Sequence, residues 1–297
     1  VVSDVAWVFP GQGSQRVGMG KALAERSAAA RAVFEAVDDA LGFPLSQTIF
    51  DGPDEALIST KNQQPAILAT SIAYFAVLRE EGALPDPVCV AGHSLGEYTA
   101  LVAAGALELA DAARIVRRRG ELMEEHGRGG MVAVLGLDDA VLEEVARETG
   151  VEVANFNAPG QTTLSGRSEA LEAAAALAKE RGARRVVTLP VNGAFHSSLM
   201  EPVAEALRPM IEAAPMREPI APLIADVDAR PLRDPDEIRT ELLEQITASV
   251  RWVEVVRAAH DHGARRFFEI GPGKVLSGLI PRIVPGVEAV PVEPLLG

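Results

Sequence analysis

The chain has 297 residues, with 28 Lys and Arg against 42 Asp and Glu, a formal charge of −14 and 48 % hydrophobic residues. That composition is ordinary for a globular protein and excludes a disordered or fibrous chain, and acidity spread along the whole length argues against nucleic acid or an anionic membrane as partner. A single cysteine, Cys89, excludes an internal disulfide framework and a zinc cluster built on thiolates.

Val1 to Phe9 is apolar but short, carries Asp4 and has no basic leader, so it reads as a strand at Val5–Phe9 and not as a signal peptide. A Gly-rich turn at Pro10–Gly13 and a helix beginning near Met19 follow. The longest uncharged stretch, Asn62 to Leu78, is too short to span a bilayer and fits a buried helix with Pro65 in its first turn. A strand at Val88–Ala91 runs through Gly92–Gly96 into a helical run, Glu97 to Ala104. Then the order becomes strand Met131–Leu137, helix Asp138–Thr149, strand Val151–Phe156, strand Thr162–Ser165, helix Glu169–Arg181 and strand Arg185–Val191. That β-α-β-β-α-β order is the ferredoxin-like split unit. The remainder reads as a helix from Ser198, a strand at Pro222–Val227, a helix around Ile238–His260, a strand at Arg266–Ile270 and a helix after Pro272.

Strands alternating with helices predict an α/β protein with a largely parallel sheet. The expected division is a body of residues 1–126 and 198–297 interrupted by a small ferredoxin-like insert, residues 127–197. No Asn-x-Ser/Thr sequon occurs, and the expectation is a soluble, cytoplasmic protein.

The sharpest chemical signal is Gly92-His93-Ser94-Leu95-Gly96, a G-x-S-x-G elbow with an apolar strand before it and a helix after it. The strand-to-helix turn is so tight that side chains beside the serine would clash, hence the flanking glycines. The turn aims the hydroxyl over a helix N-terminus, whose free N–H groups favour developing negative charge.

A serine nucleophile needs a base, and the chain has five histidines. His93 sits inside the elbow, where its ring should point away from the hydroxyl. His260 and His262 suggest solvated positions at a helix end, and His126 lies in a Glu/Arg/Gly stretch that reads as loop. His196 follows a strand end among small and apolar residues, where catalytic groups of open α/β sheets belong. The plainer alternative for His196 is a packed histidine beside a turn.

In the run Arg117-Arg118-Arg119, only Arg119 falls on the apolar stripe of its helix, with Ala112, Ile115, Leu122 and Met123. A guanidinium aimed into a core needs an anion, supplied either by a protein carboxylate or by a substrate. Gly11-Gln12-Gly13 lacks the third glycine of a dinucleotide fingerprint, and Gly271-Pro272-Gly273-Lys274 lacks both ends of a phosphate loop.

Taken in order, Pro10-Gly11-Gln12-Gly13-Ser14-Gln15, the Gly92–Tyr98 elbow, Arg119-Gly120, Gly193-Ala194-Phe195-His196-Ser197, Gln245 with Val250-Arg251-Trp252, and Gly271-Pro272-Gly273 closely resemble the malonyl-CoA:acyl carrier protein transacylases of bacterial type II fatty acid synthesis. Polyketide acyltransferases share most of these motifs. The resemblance implies a hydrolase-like α/β body with a ferredoxin-like insert, and a ping-pong acyltransferase that moves malonyl from malonyl-CoA to an acyl carrier protein. It implies Ser94 as the acylated nucleophile, His196 as its base, and Gln245 orienting the histidine through a main-chain carbonyl. The backbone N–H groups of Gln12 and Leu95 would form the oxyanion hole, Arg119 would grip the malonyl carboxylate, and Phe195 would fill the volume that an α-methyl needs. No cofactor or metal is implied, malonyl-CoA being a substrate, and the expected state is a monomer.

Two positions depart from the family pattern. Ala225-Asp226 stands where Ser-Asn or Asn-Asn is usual, leaving open whether Asp226 acts with His196. Ser249-Val250 stands where Pro-Val is usual. A serine esterase or thioesterase would use the same elbow but would have no use for a buried cation beside its acyl pocket, and a noncatalytic carrier-binding module would not need Ser94 and His196 together.

Overall fold

Val5–Phe9 forms a strand buried at every residue, as the middle of a sheet covered on both faces requires. The computed structural model describes residues 3–191 and 193–296. Val1, Val2 and Asn192, which belong to segments discussed above, lie outside the described residues. The strands are, in chain order, β1 (Val5–Phe9), β2 (Cys89–Gly92), β3 (Gly130–Leu135), β4 (Glu152–Ala158), β5 (Gln161–Gly166), β6 (Arg185–Thr188), β7 (Leu223–Ile224), β8 (Pro231–Leu232), β9 (Arg266–Glu269) and β10 (Glu288–Pro291). Six of them make one sheet in the order β10-β9-β1-β2-β7-β8, parallel except for the β7–β8 pair. The other four make an antiparallel sheet in the order β4-β5-β3-β6, the ferredoxin-like arrangement.

The first half carries helices α1 (Lys21–Arg26), α2 (Ala28–Leu41), α3 (Leu45–Asp51), α4 (Asp54–Ile58), α5 (Thr60–Glu80), α6 (Gly96–Ala103) and α7 (Leu109–His126). Next come α8 (Asp139–Thr149) and α9 (Ser168–Glu180) on the small sheet, then α10 (Glu201–Ala213), α11 (Pro235–Glu244), α12 (Trp252–Asp261) and α13 (Val275–Ile283). Alternation along β1 divides the large core: Val5, Trp7 and Phe9 pack with α2, α5 and α7, while Ala6 and Val8 pack with α12 and α13. The small sheet keeps its own core, in which Val132, Val134 and Leu164 meet Leu142, Val145 and Leu171.

The strand expected over Arg185–Val191 ends at Thr188, and three further elements differ for a local reason. The buried helix starts at Thr60, so Pro65 lies inside it and not in its first turn. Proline has no N–H for the Lys61 carbonyl one turn earlier, and Arg117 Nη1 approaches that carbonyl at 3.4 Å instead. The strand expected over Pro222–Val227 shrinks to two residues, because Asp226 and Val227 turn their N–H groups to the carboxyls of Glu97 and Glu241. The helix expected around Ile238–His260 is two helices. Val250 breaks the run by pairing with the edge of β4, its N–H on the Ala154 carbonyl and its own carbonyl taking the Phe156 N–H, both at 2.9 Å.

Candidate active site

The elbow is built by close backbone approach. A Cβ on Gly92 would lie 1.9 Å from the Gly96 carbonyl carbon, and one on Gly96 would lie 2.2 Å from the Phe9 carbonyl oxygen. Only glycine fits either place, which is the physical content of the G-x-S-x-G spacing. Between them Ser94 adopts φ 54°, a left-handed conformation a serine holds only when its surroundings enforce it. The N–H groups of Leu95 and Gln12 donate to no acceptor among the described residues.

His196 also sits at positive φ, 55°, in the segment after β6. Its Nε2 is 2.8 Å from Ser94 Oγ, while its Nδ1 is 2.8 Å from the Gln245 carbonyl and 3.1 Å from that of Ala248. Carbonyls only accept, so the proton belongs on Nδ1 and the Nε2 lone pair faces the serine hydroxyl. The break between α11 and α12 is what turns those two carbonyls toward the ring.

Arg119, on α7, is 2 % exposed. Its approach depends on Gly120, where a Cβ would meet the Thr60 carbonyl and the Lys61 Cα at 2.6 Å. Nη2 donates to Ser94 Oγ at 3.0 Å and to Gln245 Oε1 at 2.9 Å, Nη1 donates to Gln64 Oε1 at 3.0 Å, and Nε has no partner among the described residues. No carboxylate among the described residues lies within ion-pair distance of this buried cation.

These groups line a cavity of about 770 Å³ that also includes Gln12, Gln63, Asn155 and Phe195. The Phe195 ring lies over Gly193, where a Cβ would come within 2.4 Å of it. Among the described residues no group of three or more His, Cys, Asp or Glu side chains could hold a metal ion, and no helix is long and apolar enough to cross a membrane.

The other histidines make no hydrogen bond to Ser94 or His196, although His93 also lines the cavity. His93 Nε2 pairs with Asn157 Oδ1 at 2.9 Å and its ring leans on Trp252. His126 ends helix α7 instead of lying in a loop, and His260 and His262 close α12.

Asp226 does not touch His196. Its Oδ2 accepts the Ser94 N–H at 2.7 Å, beneath the elbow. Sequence reasoning missed Gln64, Glu97, Glu241 and Ala248. Glu97 lies within the Gly92–Tyr98 elbow, one helical turn beyond Ser94, but the G-x-S-x-G pattern that points to chemistry stops at Gly96. Ala248 acts only through its backbone and leaves no trace in residue type.

Burial, then the Arg119 cation and His93, push His196 down to about 3. A base must be neutral to accept a proton, so a lowered value keeps His196 competent far into acid. A reaction that uses His196 as base toward the Ser94 hydroxyl should therefore not slow between pH 7 and pH 5, where an ordinary histidine protonates. Rapid-quench rates across that range check it, and an inflection near pH 6.5 would contradict it.

The profile of the acyl transferase domain family matches residues 6–297. The chain is 46 % identical over 290 residues to the malonyl CoA-acyl carrier protein transacylase of Bacillus subtilis, covering 95 % of this chain and 91 % of that relative. The crystal structure of an acyl carrier protein S-malonyltransferase from Vibrio cholerae superposes with a TM-score of 0.94 at 41 % identity, covering 97 % of this chain and 96 % of the other. A malonyl-transacylase solved in complex with a type II polyketide acyl carrier protein superposes with a TM-score of 0.92 at 39 % identity, covering 99 % of this chain and 98 % of that one.

Proposed function

Because the chain belongs to the acyl transferase domain family, and within it to the malonyl-CoA:acyl carrier protein transacylases, we propose that it transfers malonyl from malonyl-CoA, through a Ser94 ester, to the phosphopantetheine thiol of an acyl carrier protein in cytoplasmic fatty acid biosynthesis. Ser94 Oγ attacks the thioester carbon as His196 Nε2 takes its proton. The Gln12 and Leu95 N–H groups receive the oxyanion, which collapses and expels the coenzyme A sulfur, and His196 returns the proton to that sulfur. The carrier thiol then gives its proton to His196 and attacks the ester carbon, and as the second tetrahedral intermediate collapses His196 returns that proton to Ser94 Oγ, freeing the serine. Every catalytic group in these steps is a side chain or backbone group of this chain, and no step calls on a cofactor.

The observation that supports the acyl identity is the Arg119 guanidinium, buried without a carboxylate and 3.0 Å from Ser94 Oγ. A buried cation needs an anion, and the free carboxylate of a malonyl group suits its flat fork. Intact-mass analysis tests the whole reading: the enzyme should gain one malonyl from malonyl-CoA and lose it on addition of carrier protein. Loss to water at the same rate would make it a thioesterase. We take residues 1–126 and 198–297 as the unit carrying Ser94, and residues 127–197 as the insert that delivers Phe195 and His196.

Phe195 gives the pocket a limit at the acyl α-carbon. Malonyl should be preferred over methylmalonyl, and Phe195→Ser should narrow the preference. One methyl group in such a pocket is worth about 1–3 kcal/mol, roughly 10- to 200-fold in kcat/KM. Competition between the two thioesters measures it, and equal rates in the unmutated protein would remove Phe195 from this role.

Carrier proteins of this family are acidic, and so is this chain, so docking depends on local basic surface. Of the candidate basic groups, Arg117 and Arg118 are taken up by Glu121 and, in the Arg181–Arg185 cluster, Arg181 by Glu144 and Glu148, while Arg184 and Arg185 have no carboxylate partner among the described residues. Lys274 and Arg282 have no carboxylate partner among the described residues, and Val275 beside them is 52 % exposed. Association steered by such charges weakens as salt shortens the Debye length. The carrier half-reaction should slow with salt more than acylation by malonyl-CoA does; equal slopes would indicate apolar docking.

A further inference from the structure

The two peptide groups of Ser94 are both held from beneath the cavity. Its N–H donates to Asp226 Oδ2 at 2.7 Å, and its carbonyl accepts from Gln245 Nε2 at 3.0 Å. One side chain joins the two holders. Glu97 Oε1 accepts the Asp226 N–H at 2.9 Å, and Glu97 Oε2 accepts from Gln245 Nε2 at 2.9 Å. Glu97 and Asp226 are both fully buried. The bond to Asp226 turns the Ser94 N–H away from the cavity, while the next N–H along, that of Leu95, stays unpaired.

We propose that Asp226 is a positioning residue for the acyl transfer: by taking the Ser94 N–H, with Glu97 tying it to Gln245, it holds the serine in the left-handed turn that aims its hydroxyl at His196. The inference rests on Ser94 being the acylated nucleophile. It also accounts for an aspartate at a place where the family pattern has an amide, since the oxygen of either side chain can accept that N–H.

The aspartate differs from an amide in having a proton to lose. Facing it are Glu97 on α6, Glu241 on α11 and the Arg119 cation on α7, with His196 beyond Ser94 and Asp228 in the turn beyond Glu241. Burial and mutual repulsion raise Asp226 and Glu97 well above the usual carboxyl range, and burial pushes Glu241 up to about 7. Asp226 Oδ1 has no partner among the described residues, and a buried carboxylate oxygen without a donor is the costlier of its two states. As pH rises and the last protons leave these carboxyls, negative charge gathers one peptide away from the Leu95 N–H that receives the oxyanion. Acylation should then slow on the alkaline side.

The experiment is single-turnover formation of the malonyl-enzyme from malonyl-CoA, followed by intact mass from pH 6 to pH 9, for the unmutated protein, Asp226→Ala and Asp226→Asn. The alanine variant should lose about tenfold or more in rate at every pH, with little change in KM, because Ser94 loses the acceptor that orients it. The asparagine variant should restore most of the rate, and its alkaline fall should be smaller than that of the unmutated protein, because only Glu97 and Glu241 are left to lose protons. Unimpaired acylation by Asp226→Ala overturns the proposal, and so does an alkaline fall that survives unchanged in Asp226→Asn. If thermal melting finds the alanine variant unfolded, the asparagine profile decides alone. Malonyl acquired by Ser94→Ala would instead strike at the assignment of Ser94, whatever the Asp226 variants do.

Discussion

Ser94→Ala should show no malonyl-enzyme at all by intact mass after incubation with malonyl-CoA, and His196→Ala should form it about 10²–10⁴-fold more slowly than the unmutated protein. A serine hydroxyl is a poor nucleophile until a base removes its proton. The Nε2 of His196, 2.8 Å from Ser94 Oγ with its Nδ1 committed to two carbonyls, is the base in reach. The residual rate in His196→Ala comes from what the substitution leaves in place, the unpaired N–H groups and the Arg119 contact. Near-normal transfer by His196→Ala would take the histidine out of the reaction. Because carbonyls orient the imidazole, no carboxylate variant should reproduce that loss through the histidine.

Arg119→Ala should exchange one acyl preference for another instead of silencing the enzyme. With the guanidinium gone, a malonyl carboxylate enters a buried pocket unpaired, at a cost of about 3 kcal/mol or more, or over a hundredfold in kcat/KM. Acetyl carries no such charge and loses little. The ratio of malonyl to acetyl transfer should collapse, and competition between the two coenzyme A thioesters reads it directly. An unchanged ratio would show that Arg119 serves the fold alone, through Gln64 and Gln245.

What is legible in the sequence is whatever depends on residue type at fixed spacing. Gly92 and Gly96 are forced by contacts near 2 Å, so the elbow announces itself in the spacing of its glycines. The same is true of Arg119, whose helical phase separates it from Arg117 and Arg118. The β-α-β-β-α-β order of the small sheet follows from hydrophobic periodicity. What escapes is set by backbone partners far along the chain. Nothing in residues 238–260 announces a helix break: the segment has neither proline nor glycine, and Val250 leaves the helix to complete the edge of β4. The supports of the site at Ala248, Glu97 and Glu241 are hidden for the same reason. Asp226 stands out in the sequence as a departure, but only geometry separates a partner of His196 from a partner of Ser94.

The pairing of Val250 with β4 bears on how such an enzyme could be redesigned. The small sheet contributes Met131 and Asn155 to the wall of the cavity, and its edge strand also anchors Val250, in the helix break whose Gln245 and Ala248 carbonyls face the imidazole. Transplanting residues 127–197 from a relative with another acyl preference would import a foreign anchor for the base along with the new wall. Such a chimera would trade turnover for specificity even when every imported pocket residue is well chosen. Point substitutions at the cavity face leave that anchor untouched, and in this architecture they are the sounder route to a new substrate.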